Sequence, residues 1–434
     1  MTGTPSTRRT GGSGWAFQAT NAEVLEALAR GEQRTSLREL FGTQALEELS
    51  SLAVAARTAR QRRRRGGGAL SRVLIVPGMM GSRLCDVPSR AGAKRGARAK
   101  ALWVDPARIR AGHLARLSLF GTRSRNMRPA GALFPDYARL KLMLTIEGFD
   151  ARFFAYDWRF GIEQIGAALA AKIRAGASPV SLVAHSMGGL IARVAAKHLP
   201  KRWIERLVML GTPNRGAFAP VLALRGTYPF VRRLSRLDLE HSPEELAAQV
   251  FCSFPGLYQL LPSAYEAGEI DLLDPRSWPE SGPQPDAALL ARVSEARGRM
   301  ADPDRRMAQI VGTHRETVIS VRRTPAGFEY GSSANGDGTV PIRLAMVPAL
   351  ETYFADEAHG ELVNNPRIIA AVTSLLRGDG GCGLARRFTP LREPTTRFDD
   401  TQLRSVPAGK IDWRGLDSAQ REAVLADLEG GRVS

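Results

Sequence analysis

The stretch VSLVAHSMGGLIARVAAKH, residues 180–198, constrains the fold more than any other part of the chain. It opens as an apolar run, breaks at a polar corner, and continues with Leu190, Ile191, Val194 and Ala195 at helical spacing, so a buried strand feeds straight into a helix. At the corner Ser186 has Ala184 two residues before it and Gly188 two residues after. A serine on such a sharp strand-to-helix turn needs small neighbours at those two places, and the turn lifts its Oγ clear of the backbone. Ala184 adds one methyl to the usual glycine. Ser186 therefore reads as a nucleophile, set against the plainer reading of a serine that caps the helix beginning at Met187. Adjacent side chains at such a corner point apart, which leaves His185 poorly placed to act as base to Ser186.

The same texture extends over most of the chain. RVLIVPG, a helix near 136–147, DARFFAYDW, a helix near 162–174, VSLVAHS and IERLVMLGTP alternate apolar β-branched runs with helical segments. Strands alternating with helices imply an α/β fold, a mostly parallel sheet with helices on both faces. The sheet is expected to resume at MAQIVGT and TVISVRR and to end in the helix PRIIAAVTSLL, so that this domain covers 69–377. Two stretches break the rhythm: 82–130, rich in Arg and Gly, and 214–306, with Pro, aromatics and short helices. Both are expected as insertions carried on loops above the sheet, a lid and a cap.

Residues 1–68 read as a polar start, a small helical unit and an Arg/Gly linker. Thr20 with Glu23 and Ser36 with Glu39 have the spacing of capping boxes, for helices stopping at Gly31 and Gly42. A third helix is expected over roughly 44–60, followed by RTARQRRRRGGG as a solvated linker. Residues 378–434 read as an appended tail with one short helix near 417–429.

Formal net charge is +18, which favours anionic partners without choosing among them. Basic stretches interleaved with aromatics are missing, and so is zinc-ligand spacing, so neither a nucleic acid nor a metal or other cofactor is expected. Cys85, Cys252 and Cys382 are odd in number and far apart, which speaks against a disulfide framework and for a reducing compartment. MTGTPSTRRTGGSGWAF has no apolar signal core, and no run reaches the length of a membrane span. A cytoplasmic location is expected, with peripheral contact to anionic membranes through Arg60, Arg62 to Arg65, Lys94, Arg95, Arg98 and Lys100.

A serine nucleophile needs a base, and the base an orienting carboxylate. In folds with this corner the chain order is Ser, Asp, His. NGDGTVP puts Asp337 between glycines after the late strands, and EAHGEL puts His359 just before the last helix. His113, His198, His241 and His314 lie at the wrong points in that order. Donors for an oxyanion are backbone amides after the nucleophile and after an early strand. Met187 supplies the first. Met79 in LIVPGMMGSRL supplies the second, with Gly78 and Gly81 letting the backbone turn closely.

These pieces resemble the lecithin:cholesterol acyltransferase-like family of α/β-hydrolases. LIVPGMMGSRL, LWVD, YDWR at 156–159, AHSMGGLIAR, LGTPNRGA, GDGTVP and HGELVNNPRII occur in family order over roughly 71–376. The resemblance implies the α/β-hydrolase fold, a Ser186, Asp337 and His359 triad, Met79 and Met187 as oxyanion donors, and a mobile lid and cap that bind acyl chains. It also implies a structural or acyl-site role for Trp158, with Gly78 beside the substrate. The chain departs from secreted members, which pin the lid with a disulfide: this insertion holds one cysteine, Cys85, as suits a cytoplasmic, bacterial-type member. The expected activity is that of a serine-dependent acyl-ester hydrolase or O-acyltransferase acting on lipid substrates, a lipase, phospholipase or esterase. The alternative is a non-catalytic lipid- or polyanion-binding protein on the same scaffold.

Overall fold

The computed structural model describes residues 14–66, 70–87, 99–121, 126–268, 270–379, 381–391 and 395–413, and parts of 415–424. The strands among them, in chain order, are β1 (Arg72–Val76), β2 (Ser82–Asp86), β3 (Lys100–Trp103), β4 (Met127–Ala132), β5 (Asp150–Phe153) and β6 (Val180–His185). They continue with β7 (Ile204–Leu210), β8 (Met307–Gly312), β9 (Thr317–Thr324), β10 (Gly327–Ser333), β11 (Glu351–Ala355) and β12 (Thr396–Asp399).

Six strands make the central sheet in the order β11-β8-β7-β6-β1-β5, every neighbouring pair parallel. The chain starts at β1, adds β5 on one side, then builds β6, β7, β8 and β11 on the other. The order thus reverses between β1 and β6, and a reversal in a parallel sheet opens a crevice at the strands' carboxyl ends where ligands bind. Ser186 follows β6 at that point. With the serine corner, this is the α/β-hydrolase fold.

The period-two alternation of strands sorts side chains into two apolar layers. Leu74, Val76, Leu182 and Ala184 face one layer, while Val73, Ile75 and Val183 face the other. The first is covered by α7 (Ile162–Ala175) and α8 (Met187–Lys197), through Ile165, Leu169, Leu190 and Val194. The second is covered by α6 (Phe134–Ile146) and the helix Pro366–Arg377, through Leu140, Leu144, Ile369 and Val372. The first five helices are α1 (Trp15–Gln18), α2 (Asn21–Arg30), α3 (Arg34–Phe41), α4 (Thr43–Gly66) and α5 (Pro106–Arg110). In the N-terminal unit Leu28, Leu37, Leu46 and Leu49 pack with Phe134, Ala138 and Leu142 of α6.

Several expectations are corrected. The Arg run is no linker, because α4 stays helical to Gly66. Arginine is a good helix former, and Arg63 donates to the Gly148 carbonyl (3.2 Å) in the turn after α6. Ser36 caps nothing: α3 starts at Arg34, and the Ser36 hydroxyl instead accepts from the Ala16 amide (2.9 Å). Thr20 and Glu23 do form a capping box. TVISVRR leaves the parallel sheet, since β9 pairs antiparallel with β10 and β10 with β12. Residues 396–399 are therefore sheet rather than loose tail, and the short helix Asp400–Ser405 follows. Residues 82–130 include β2, β3 and β4, an antiparallel sheet in the order β3-β2-β4, with α5 between. Lys94, Arg95 and Arg98 lie outside the described residues, as do 418, 422 and 425–429 of the helix expected near 417–429. Cys85, Cys252 and Cys382 are buried free thiols. Among the described residues no helix is long and apolar enough to cross a membrane.

Candidate functional site

The corner after β6 is tight. Ser186 sits at φ 53°, ψ −129°, a backbone conformation that costs a non-glycine residue of order 1–3 kcal/mol and persists only where surroundings impose it. Its amide donates to the Leu210 carbonyl (2.8 Å), which ties the corner to the end of β7. A Cβ on Gly188 would collide with the Val76 carbonyl and come within 2.6 Å of the Pro77 carbonyl, both backbone. Glycine there lets the start of α8 lie against the turn after β1. From the other side, a Cβ on Gly78 would stand 2.9 Å from the Ser186 Cβ. The small residues read in the sequence thus bring two backbone turns together around one hydroxyl.

His359 follows β11 and reaches back to this hydroxyl. Its Nε2 is 2.9 Å from Ser186 Oγ, and its Nδ1 is 2.8 Å from Asp337 Oδ2. Asp337 Oδ1 is occupied by the amides of Thr339 (3.0 Å) and Val340 (2.7 Å), while the His359 amide donates to the Asp337 carbonyl (2.8 Å). An ionised Asp337 accepts the Nδ1 proton, so Nε2 is left to accept from the serine. Asp337 and His359 are buried and Ser186 is half-buried. Two strand-end glycines make the room. A Cβ on Gly312 would come within 2.6 Å of the Asp337 Cβ, and one on Gly211 within 3.0 Å of His359 Nδ1. The residues read in order Ser, Asp, His are therefore in one hydrogen-bonded path, with Gly211 and Gly312 as unforeseen contributors.

Met79 follows Gly78 on one turn, and Met187 follows Ser186 on the other. Among the described residues no hydrogen bond occupies either amide. Both are the first residues beyond a group in contact with Ser186, or Ser186 itself. His185 has a different task. Its ring spans Tyr137 Oη (2.9 Å from Nδ1) and the His359 carbonyl (2.9 Å from Nε2), and Tyr137 Oη also accepts from the Gly78 amide (2.9 Å). A carbonyl only accepts, so His185 donates from Nε2, and in a neutral ring Nδ1 then accepts the tyrosine proton. One chain of hydrogen bonds thereby links the Gly78–Met79 turn to the backbone of His359.

A pocket opens above Ser186, with about 1160 Å³ of atom-free space including its mouth. Met79, Ala223, Tyr228, Phe230, Leu257 and Leu260 give it an apolar wall, largely from the 214–306 segment. That segment includes α9 (Ala219–Leu224), α10 (Pro229–Leu237) and α11 (Pro243–Gln249). Gly78 lines the pocket, and so do Asp136 and Glu361 at its polar end. Burial, then the nearby Glu357 and Asp136 carboxylates, push the Glu361 carboxyl above the usual range.

Trp158 does not line it. The ring is fully buried, in edge contact with Trp103 and Phe254, and its Nε1 donates to the Ser82 carbonyl (3.0 Å). Tyr156 of the same motif donates to the Pro77 carbonyl (2.5 Å), and Trp103 to the Met80 carbonyl (2.8 Å). Three aromatic donors therefore pin the backbone from Pro77 to Ser82, so YDWR acts on the loop that carries Met79 and not on the pocket wall. His113, His198, His241 and His314 are absent from the lining.

No protein-family model matches the chain, and no curated protein sequence does. Solved structures do. The lipase BlEst2 of Bacillus licheniformis in its mature form is 16% identical, with 71% of this chain and 92% of that chain covered and a TM-score of 0.36. A chain of the Tle4-Tli4 complex is 15% identical, with coverages of 71% and 98% and a TM-score of 0.42. An α/β hydrolase from Novosphingobium aromaticivorans is 14% identical, with coverages of 71% and 90% and a TM-score of 0.29.

Proposed function

We propose that the chain is a serine-dependent acyl-ester hydrolase or O-acyltransferase acting on lipid esters, of the lecithin:cholesterol acyltransferase-like kind that its motifs resemble. The observation that carries this reading is the path from Ser186 Oγ through His359 to Asp337, opening on an apolar pocket. Ser186 Oγ attacks the ester carbonyl while His359 Nε2 takes its proton. Asp337 holds the Nδ1 proton in place and stabilises the imidazolium. The amides of Met79 and Met187 receive the oxyanion. His359 then returns the proton to the departing alkoxide, leaving the acyl group on Ser186 until water or an alcohol takes it by the reverse steps. The apolar wall suits an acyl chain, and the cap residues that form it would exclude water from the acyl-enzyme.

Ser186→Ala is expected to lower turnover of a medium-chain ester by on the order of a millionfold, as removal of a triad serine does elsewhere. It should also abolish covalent labelling by a fluorophosphonate. Undiminished esterase activity in the variant would overturn the reading, and an inactive, folded wild-type protein with an unlabelled Ser186 would favour a non-catalytic lipid-binding scaffold. Mass spectrometry of products from defined phospholipids and neutral esters, with and without added alcohol, separates hydrolysis from transfer.

A further inference from the structure

A second cavity lies between the N-terminal helices and α6, away from Ser186, with about 1050 Å³ of atom-free space including its mouth. Leu25, Ala29, Ala53, Ala56 and Leu142 make its walls, and Arg30, Arg57, Arg60 and Lys141 stand on its rim with Glu26. Helical spacing accounts for this. Ala53, Ala56 and Arg60 fall at i, i+3 and i+7 on α4, and Ala22 and Ala29 at i and i+7 on α2, so small side chains face each other and leave a groove. Arg60, one turn after Ala56, puts a cation beside those alanines.

Charge there is not balanced. Asp150 pairs with Arg152 (2.8 Å) and more loosely with Arg60 (3.8 Å). Lys141 has its stem buried, its ammonium against the Ala151 carbonyl and 5.1 Å above the Phe153 ring. Burial first, then the Arg60 guanidinium, bring its pKa down to about 8. Three cations thus share one carboxylate. Arg30 differs, since Glu26 lies 2.6 Å from it.

We infer that this groove binds a monoanionic amphiphile, a free fatty-acid carboxylate, with its chain along the alanine walls and its carboxylate at Arg60 and Lys141. Apolar walls ending in partly desolvated cations reward a ligand carrying both features and reject one carrying either alone. The site is separate from Ser186 and does not depend on the chemistry proposed there. An occupant would bridge the N-terminal unit and α6, fastening one to the other.

The test is calorimetry of the full chain with sodium dodecanoate below its micellar concentration, beside acetate, dodecyltrimethylammonium and phosphatidylglycerol vesicles. A photoreactive diazirine analogue of dodecanoate then locates the site. Dodecanoate alone among the soluble ligands is expected to bind, crosslinking to peptides of α2, α4 or α6. Arg60→Ala and Ala29→Trp, both at solvent-accessible positions, are each expected to weaken it about tenfold or more with an unchanged circular dichroism spectrum. Should one variant misfold, the other carries the test. Equal affinity in a folded variant, crosslinks confined to the Ser186 pocket, equal binding of dodecyltrimethylammonium, or Arg60-dependent binding to vesicles without binding of monomeric dodecanoate would each overturn the inference.

Discussion

Ser186, Asp337 and His359 were legible because each carries a local mark: small neighbours at a strand-to-helix corner, glycines around an aspartate, a histidine before the last helix. Tyr137 and His185 carried none. Tyr137 reads as one more apolar position of α6, and its role arises only when the sheet brings residues 48 apart in sequence within 2.9 Å. Tyr137→Phe tests that role. The substitution keeps the ring and removes the hydroxyl, leaving the buried Gly78 amide without that partner, at a cost of about 1–3 kcal/mol. The Met79 turn loses one of its anchors, so, if Met79 receives the oxyanion as proposed, kcat on a soluble ester should fall roughly tenfold or more while KM changes little. Unaltered kcat in a variant with a lowered Tm would show that the hydrogen-bond chain serves folding alone.

At the scale of elements, periodicity disclosed the parallel strands and their covering helices, since a strand buried on both faces can be little else. It failed where pairing is non-local. TVISVRR looked like one more sheet strand, and nothing in TRFD foretold that it would pair with β10. A buried ion pair joins the 214–306 segment to the residue after β12: Arg225 donates to Asp400 Oδ2 (3.0 and 3.1 Å), and Tyr330 Oη of β10 donates to Asp400 Oδ1 (2.8 Å). The pair is fully buried. The Arg225 guanidinium also caps the carbonyls of Ser281 (2.5 Å) and Pro283 (2.8 Å), so neither charge is left to a dry interior. Asp400→Ala strands the arginine and is expected to destabilise by about 3–5 kcal/mol, the range for breaking a buried pair from one side. The double variant Arg225→Met with Asp400→Leu should recover part of that loss. Urea unfolding decides: a double variant no more stable than Asp400→Ala would show that the backbone carbonyls around Arg225, and not the carboxylate, govern the site.

Across the whole molecule, the sequence disclosed one large α/β domain but not how its ends are fastened. The N-terminal helices pack on α6, and the C-terminal segment crosses to the cap, where the Ile411 amide donates to the Arg236 carbonyl (2.7 Å). Lys410 is the centre of that crossing. Its ammonium donates to the carbonyls of Ser235 (3.0 Å), Asp238 (2.6 Å) and His241 (2.6 Å), at the carboxyl end of α10 and the turn leading to α11. A cation there satisfies carbonyls that the helix itself cannot pair and opposes the negative end of its dipole. Phe230 of α10 lines the Ser186 pocket, and Lys410, together with Arg232 donating to the Arg404 and Val406 carbonyls, links the C-terminal segment to that helix. Lys410→Met keeps a similar stem and removes the charge. Amide hydrogen exchange is therefore expected to accelerate about tenfold over 229–249, while β1, β6, β7 and β8 keep their protection, since local opening needs only the cap's own contacts to weaken. On the proposed function, hydrolysis of long-chain esters, whose chains would reach the Phe230 wall, should fall further than that of a two-carbon ester. A uniform rise in exchange would make Lys410 a contributor to global stability, and unchanged exchange over 229–249 would show that Lys410 plays no part in holding that segment.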